Sequence, residues 1–382
     1  MNDLSAWVER LVEAVEEVLG SRMRRPEATY RLQFHRDQLT FREAARAVPY
    51  LRALGISHAY ASPCRKARSG SSHGYALVDY NALNPELGTN EDYRALVDTL
   101  HAHGMGKILD IVPNHMSATA GENAWWNNVL ENGRSSPYAA YFDINWEPIK
   151  DELENRLLLP LLGDQYGESL ESGKLQLEYR DGGFFARYFQ AALPLDPRTF
   201  PTILTCGVER LKQALGADSE DVRELESIIT AAEHLPDRND TQAQQVVERQ
   251  REKEVLKHRL HKLVTACPAV ANSIQQTLRQ FNGDPAAPES FDRLDKLLDA
   301  QVYRLSHWKA AGDEINYRRF FDVNELAAIR MEDSRVFEES HRMALDLAAQ
   351  GVLDGLRIDH IDGLFDPTEY LVRLQRGYLR AL

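Results

Sequence analysis

The chain is poor in cysteine and has no pattern that would make its few cysteines a framework. Its 382 residues include only Cys64, Cys206 and Cys267, which are far apart and odd in number. No Cys-x-x-Cys motif or neighbouring His pair accompanies them. A disulfide scaffold and a cysteine zinc site are therefore excluded, and free thiols are predicted.

An excess of positive charge and long apolar runs are also missing. The formal net charge is -13, from 45 Lys and Arg against 58 Asp and Glu. Nucleic acid is excluded as the main partner, because backbone phosphates bind to clustered basic side chains. No apolar run approaches the roughly twenty residues of a membrane span, and no basic segment followed by an apolar one opens the chain. A cytoplasmic protein without a membrane or nucleic-acid partner is predicted.

What is present is a repeating strand and helix pattern. Predicted strands cover 28–34, 56–61 and 107–112, and predicted helices cover 41–54 and 90–103. Asn90 is the predicted cap of the second helix. Such alternation indicates parallel strands with helices outside.

The pattern is interrupted once, for roughly two hundred residues, and resumes with a helix at 334–349 and a strand at 353–358. So long a segment exceeds any ordinary connection and predicts an inserted domain. Mixed charges at helical spacing indicate a helical bundle over 208–281, and alternation indicates a hairpin over 174–190. The sequence therefore predicts four segments, which are an amphipathic helix at 1–25, barrel-type units at 26–115, a mostly helical insert at 116–325, and resumed barrel-type units at 326–382.

Two strand ends carry the candidate chemistry. Residues 355–362 read GLRIDHID, which puts Arg357 and Asp359 on the same face of a strand. A guanidinium beside a carboxylate keeps the acid ionised, as a nucleophilic Asp requires, although a structural ion pair would use the same residues. Residues 107–115 read KILDIVPNH, so that Asp110, Asn114 and His115 lie towards the end of a second strand.

Together these two segments resemble the α-amylase superfamily of glycoside hydrolases and transglycosidases, whose active sites are at the carboxyl ends of barrel strands. The resemblance implies a (β/α)8 TIM-barrel type fold. It implies that Asp359 is the nucleophile and that Arg357 positions it. His115 would bind the sugar, with Asp110 and Asn114 organising the site, and His360 and Asp362 would flank the nucleophile.

Further segments are similar to one branch of that superfamily, the maltooligosyltrehalose synthases. They read SSHGY at 71–75, LNPELG at 83–88 and EINYRRFFDVN at 314–324. The resemblance implies that Tyr75, beside His73, stacks on the reacting sugar. It also implies conversion of the reducing-end α-1,4 bond of a maltodextrin into an α,α-1,1 bond, without metal or organic cofactor. Ala76 departs from the family pattern, which has Asp there, so the hydrogen bonds of that carboxylate are absent.

Other aromatic residues have weaker signals. Trp125 and Trp126 fit either the core of the insert or a wall that binds glucan, and His307 and Trp308 are predicted to pack inside. Aromatic faces suit the apolar side of a pyranose, so a wall that binds glucan would use such side chains.

Only four barrel strands can be counted, and four such units would leave two open edges. The superfamily's acid Glu and second Asp belong to later strands. We therefore expect an N-terminal half of a longer protein that has little activity alone and is completed by the remaining half-barrel. Two alternatives stay open: an amylase or 4-α-glucanotransferase of the same superfamily, and a non-catalytic half-barrel that binds glucan.

Overall fold

The computed structural model describes residues 7–10, 12–14, 16, 17, 20 and 25–381. The described residues between 7 and 20 are helical. The other positions of the helix predicted at 1–25, which include Leu4, Leu11 and Leu19, lie outside the described residues.

Twelve strands are present in the described part of the chain. In chain order they are β1 Thr29–Leu32, β2 His58–Ala61, β3 Gly106–Ile111, β4 His115–Ser117, β5 Leu157–Leu162, β6 Leu175–Arg180, β7 Gly183–Tyr188, β8 Ala191–Pro194, β9 Tyr303–His307, β10 Arg319–Phe320, β11 Val323–Ala328 and β12 Gly355–Ile358.

The α-helices that follow residue 25 are also numbered in chain order. They are α1 Phe41–Ala53, α2 Asn90–Ala102, α3 Ala124–Asn132, α4 Tyr166–Glu171, α5 Phe200–Leu215, α6 Glu220–Glu233, α7 Ala243–Ala266, α8 Pro268–Phe281, α9 Asp292–Asp299, α10 Ala311–Glu314, α11 Ser334–Ala349 and α12 Pro367–Ala381.

The chain divides into two compact units. The first consists of Met1–Ser117 and Ala328–Leu382, and the second of Ala118–Ala327. The sequence predicted an insert at 116–325, and the division in the structure falls close to both of those positions.

The first unit is built on a parallel sheet in the order β1-β2-β3-β12. Within the described residues this sheet has four strands and does not close into a barrel. All four strands lie within two residues of their predicted bounds. Leu109 and Ile111 of β3 are buried on the face covered by helices, as expected for a parallel sheet with helices outside.

Helices α1 and α2 pack together, with the rings of Phe41 and Tyr93 in edge contact at 5.3 Å. Each begins with a capping box, in which a Thr hydroxyl and an acidic side chain satisfy backbone N–H groups reciprocally. The predicted cap of α2 was wrong by one residue. Thr89 rather than Asn90 is the cap, because its hydroxyl accepts the backbone N–H of Asp92.

The second unit combines helices α5 to α8 with two small sheets. Strands β6, β7 and β8 form an antiparallel sheet that extends the predicted hairpin by one strand, and β5 pairs with β9 in parallel. Buried ion pairs fix the helices. Arg249 Nη2 lies 2.6 Å from Asp196 Oδ1, and Lys253 Nζ lies 2.6 Å from Glu131 Oε2.

The tryptophans of this unit differ in burial. Trp126 is fully buried against Phe142, whereas Trp125 is half-buried and stacks on Tyr138 with ring centroids 5.7 Å apart. Trp308 is 52% exposed, so the prediction that it packs inside was wrong. Its ring instead contacts the side chain of Lys309, with the ammonium 5.6 Å from the ring centroid.

Among the described residues, no helix is both long enough and apolar enough to cross a membrane. No group of three or more His, Cys, Asp and Glu side chains in those ranges is arranged to hold a metal ion. The three cysteines are free thiols, as predicted.

Candidate active site

Each strand of the parallel sheet contributes one side chain to a polar cluster near its carboxyl end. Arg31, Tyr60, Asp110 and Arg357 occupy the second-last positions of β1, β2, β3 and β12. Arg31 is paired in register with Tyr60, and Arg357 with Asp110. Because side chains alternate along a strand, the shared position turns all four to one face of the sheet.

At the centre of the cluster, one guanidinium nitrogen joins two carboxylates. Arg357 Nη1 donates to Asp110 Oδ1 at 3.0 Å and also donates to Asp359 Oδ1. Asp110 is fully buried and Asp359 is 5% exposed. Burial alone would lower the pKa of Arg357, but its hydrogen bonds to the two carboxylates outweigh burial and raise that pKa. The guanidinium therefore stays charged and both carboxylates are held beside a cation.

Two phenols donate to the same oxygen of Asp110. The hydroxyl groups of Tyr60 and Tyr75 both lie 2.7 Å from Asp110 Oδ2. Burial and these hydrogen bonds raise the pKa of each phenol, so both remain protonated donors. With Arg357, they fix the Asp110 carboxylate from several sides.

Arg31 orients one of these phenols. Its Nη2 donates to the Tyr75 hydroxyl oxygen at 3.2 Å, and its guanidinium also lies over the Tyr60 ring, 5.6 Å from the centroid. A phenol has one proton, and the Arg31 N–H group occupies a lone pair of that oxygen. The Tyr75 proton is thereby directed to Asp110.

The loop that carries Tyr75 is shaped by its neighbours. The backbone N–H of Tyr75 donates to His73 Nδ1 at 3.0 Å, and the two rings stack at 5.9 Å. Burial first, and then the charge of Arg68, lower the pKa of His73. Gly74 has φ +80, and a Cβ there would lie 2.6 Å from the carbonyl oxygen of Pro63, so this position requires glycine.

Asn114 and His115 are buried just beyond β3. The hydroxyl group of Tyr80 donates to the carbonyl oxygens of Val112 at 3.0 Å and His115 at 3.1 Å, which fixes the backbone here. Burial is the main cause that lowers the pKa of His115 to about 4, so its imidazole is neutral. The backbone N–H of Asp359 donates to Ile111 O at 2.8 Å and ties the nucleophile candidate to the end of β3.

The two residues predicted to flank Asp359 differ in placement. His360 has φ +47, a left-handed conformation, directly after the strand that ends at Ile358. Its Nδ1 lies 3.8 Å from Asp362 Oδ1, and the side chain of Asp362 is 87% exposed. Gly363 approaches Asn114 so closely that an added Cβ would lie 2.6 Å from Asn114 Oδ1.

The structure brings together Asp110, Tyr75, Arg357 and Asp359 of the predicted set, and adds two residues that the sequence reasoning did not select. These are Arg31 and Tyr60. The available signal was a polar or aromatic side chain second from the end of each predicted strand, on the face shared with Asp110.

A family model for the α-amylase catalytic domain matches residues 44–195. Over 353 residues, or 91% of this chain, the sequence is 31% identical to a putative maltooligosyl trehalose synthase of Mycobacterium tuberculosis (strain ATCC 25618 / H37Rv). That alignment covers 32% of the mycobacterial protein. A shorter match, 36% identical over 107 residues, covers 28% of this chain and 17% of an intracellular maltogenic amylase of Bacillus subtilis.

Two solved structures of this kind of synthase are also similar to most of the chain. Maltooligosyltrehalose synthase from Arthrobacter ramosus superposes with a TM-score of 0.61 at 31% identity, covering 92% of this chain and 33% of that protein. A hypothetical maltooligosyl trehalose synthase of Sulfolobus tokodaii superposes with a TM-score of 0.59 at 30% identity, covering 93% and 34%. The chain thus spans about a third of the length of the relatives it matches.

Proposed function

We propose that this chain belongs to the α-amylase superfamily and forms the nucleophile-bearing part of a maltooligosyltrehalose synthase. Such an enzyme is an isomerase that moves a maltooligosyl group between two hydroxyl groups of the terminal glucose. Its substrate would be a maltodextrin, whose reducing-end α-1,4 bond becomes an α,α-1,1 bond. The similarity to these synthases along nine-tenths of the chain carries the proposal.

Asp359 is the proposed nucleophile, and Arg357 is its positioning partner. Supporting this assignment, Asp359 is almost wholly buried, receives an N–H group of Arg357 and follows the carboxyl end of β12. A nucleophilic carboxylate must be held and aimed before it attacks an anomeric carbon, and the N–H group of the adjacent guanidinium holds it in place.

Asp110 and Asn114 organise the proposed site, and the remaining residues contact the sugar. Tyr75 offers its ring to the apolar face of the reacting glucose, and its hydroxyl is held by Arg31 and Asp110. His115, neutral because it is buried, and His73 supply polar ring atoms. His360 and Asp362 border the nucleophile, with Asp362 at the solvent side.

The proposed reaction is a double displacement with retention. The carboxylate of Asp359 attacks the anomeric carbon while a carboxylic acid protonates the leaving oxygen, which gives a covalent glycosyl enzyme. The released glucose then attacks this intermediate through its own anomeric hydroxyl. Water must be excluded while the released glucose reorients in the site, since attack by water on the glycosyl enzyme would give hydrolysis. The general acid is not assigned to a residue of this chain.

The proposed chemistry uses carboxylates alone and requires no metal or organic cofactor. The proposed enzyme is cytoplasmic and acts on α-1,4-glucan. Its structural partner is the rest of the barrel. A closed (β/α)8 barrel of which β1, β2, β3 and β12 are four strands is the corresponding fold.

An amylase or 4-α-glucanotransferase is the second candidate. The match of residues 44–195 to the general α-amylase catalytic domain and the presence of Ala76 after Tyr75 favour it. Both candidates use the same nucleophile, so they differ in the acceptor. The acceptor is the released glucose in the first case, and water or another glucan in the second.

The test is to incubate the complete protein encoded around these residues with maltopentaose and to follow reducing ends and chain length together. Loss of reducing ends at constant chain length supports the mutase. New reducing ends or redistributed chain lengths would support the second candidate instead. The variant Asp359→Asn should abolish turnover, and Asp98→Asn, an exposed Asp on α2, should retain it. Activity that survives in Asp359→Asn would refute the nucleophile assignment.

A further inference from the structure

The second unit contains a large cleft that the proposed catalytic residues do not use. Its volume is about 1030 Å3, and every lining residue lies between Lys150 and Glu314. The walls come from the parallel strands β5 and β9, from α9 and from the turn after His307. This volume is at the upper end of the range for small-molecule sites, which suits an oligomer better than a single small metabolite.

A second cleft of about 640 Å3 adjoins the first. The two share Lys150, Leu153 and Glu314 as lining residues. Lys150 Nζ lies 2.7 Å from Glu314 Oε1, so one ion pair marks the boundary between the two spaces. The two adjoining clefts with these common walls are together called the insert trough, and their combined space exceeds what a single sugar ring fills.

The charges of the larger cleft nearly cancel. Five basic and four acidic side chains line it. Three of the four acids have partners: Asp295 accepts the Tyr166 hydroxyl at 2.7 Å, Asp299 accepts Arg156 Nη1 at 3.0 Å, and Glu314 pairs with Lys150. A cleft without an excess of one sign does not select an ion. It offers positioned donors and acceptors to a neutral ligand with many hydroxyl groups.

Apolar surface accompanies these polar groups. Tyr166 is half-buried, and its ring is fixed by the hydrogen bond to Asp295. Leu153, Leu158 and Leu305 lie in the same walls. A pyranose is apolar on its C–H faces and polar at its rim. A tyrosine ring with its hydroxyl group, together with aliphatic side chains, suits both parts.

We infer that the insert trough is a second glucan-binding site, which holds a linear segment of α-1,4-linked glucose along the inserted unit. The choice of glucan rests on the proposed function, and the presence of a neutral polyol site rests on the trough itself. Tyr166 is the stacking residue, and the Lys150–Glu314 pair contacts the ligand at the junction of the two clefts.

The experiment measures maltoheptaose binding to the folded 382-residue chain by isothermal titration calorimetry, with inorganic phosphate as the anionic probe. Tyr166→Ala should weaken maltoheptaose binding by about fivefold, the usual worth of one aromatic contact. Lys150→Ala, at a half-exposed position, should also weaken it and serves if the first variant misfolds. Tyr50→Ala, the same change at an exposed site on α1, is the matched control and should bind like the wild type. Phosphate should give no binding heat.

Other results would overturn the inference in distinguishable ways. Unchanged binding in Tyr166→Ala and Lys150→Ala, with loss in Tyr75→Ala, would place the glucan at the sheet and leave the proposed function intact. Phosphate binding that disappears in Lys150→Ala would refute the ligand class. Absence of maltoheptaose binding by a folded chain would refute the trough site, while the maltopentaose assay of the complete protein decides the proposed function separately.

Discussion

Arg357 lies directly opposite Asp110 in the parallel pairing of β12 with β3, and its Nη1 is 3.0 Å from Asp110 Oδ1. The same nitrogen donates to Asp359, two residues further along the chain. One guanidinium therefore connects a carboxylate that organises the proposed site with the carboxylate proposed to react. The two acids are coupled through this shared side chain. Removing the Arg357 guanidinium would leave both carboxylates as buried negative charges without a balancing cation.

The first prediction concerns this guanidinium. Arg357→Met should lower the free energy of unfolding by about 2 kcal/mol, because two buried carboxylates lose their shared cation. The figure is below that of a wholly buried pair, since the Arg357 side chain is 42% exposed and solvent screens part of the interaction. Arg357→Lys should lose less, because it keeps a cation. Urea denaturation measures both, with Arg52→Met on the surface of α1 as the control. Equal stability of Arg357→Met and the control would contradict the central role of this ion pair.

The second prediction concerns the two phenols on Asp110. Tyr60→Phe and Tyr75→Phe should each cost about 1.5 kcal/mol of unfolding free energy, as expected for a hydrogen bond to a charged acceptor. The double variant should lose more unfolding free energy than the two single variants together. In it, Arg357 is the one donor to Asp110 that remains among the four strand-end residues. A double-mutant cycle from urea denaturation measures this coupling. Tyr30→Phe, on the exposed part of β1, is the control, and additive effects would show that the two phenols act independently.

Residues whose pattern is local were predicted from the sequence. The strand containing Asp110 and the strand containing Arg357 were located within two residues, because apolar runs and short motifs define them. Tyr75 was selected through its His73-Gly74 context. These assignments needed no knowledge of which strands pair.

Residues that depend on register or on packing were missed. Arg31 and Tyr60 join the cluster because the register pairs Arg31 with Tyr60 and Tyr60 with Ile108, two residues before Asp110 on the same face of β3. A sequence does not give that register. Trp308 was assigned to the interior by default, yet its exposure depends on what the surrounding chain covers. Thr89 and Asn90 are both good caps, and only backbone geometry distinguishes them.

The third prediction concerns a buried lysine that no local pattern suggests. Lys107 shares the helix-covered face of β3 with Leu109, is 1% exposed, and has its Nζ 3.5 Å from the centroid of the Tyr93 ring. No hydrogen-bond partner for that Nζ is found among the described residues. Burial lowers the pKa of Lys107 to about 8, so a charged ammonium is costly inside.

Lys107→Met should therefore raise the unfolding free energy at pH 7 by about 1 kcal/mol, after the lost contact with the Tyr93 ring is subtracted. Between pH 8 and 10.5 the unfolded wild-type chain binds more protons than the folded one, so wild-type stability gains with rising pH. The advantage of Lys107→Met should shrink over that range. Thermal unfolding of both proteins at pH 7 and pH 9.5 measures it, with the exposed Lys66→Met as control. A destabilised Lys107→Met would mean that the ring contact outweighs burial.

The fourth prediction concerns His341, which is buried between α11 and α12. Its Nδ1 lies 2.9 Å from the carbonyl oxygen of Phe337, which can only accept, so Nδ1 carries the proton. Its Nε2, 2.7 Å from the hydroxyl of Tyr370, then accepts that hydroxyl's proton. This arrangement requires the neutral imidazole, and burial, followed by the charge of Arg65, lowers the pKa of His341 to about 3.

The sign of the acid effect follows from that pKa. Between about pH 6.5 and pH 3 the unfolded chain protonates this histidine and the folded chain does not, so stability falls as pH falls through that window. The contribution is about 1.4 kcal/mol per pH unit. His341→Gln should be less stable at pH 7 but should show a shallower loss between pH 6 and pH 4, whereas His261→Gln, at an exposed site on α7, should keep the wild-type slope. Urea denaturation at several pH values measures these slopes, and identical slopes for wild type and His341→Gln would show that His341 is already protonated in the folded protein.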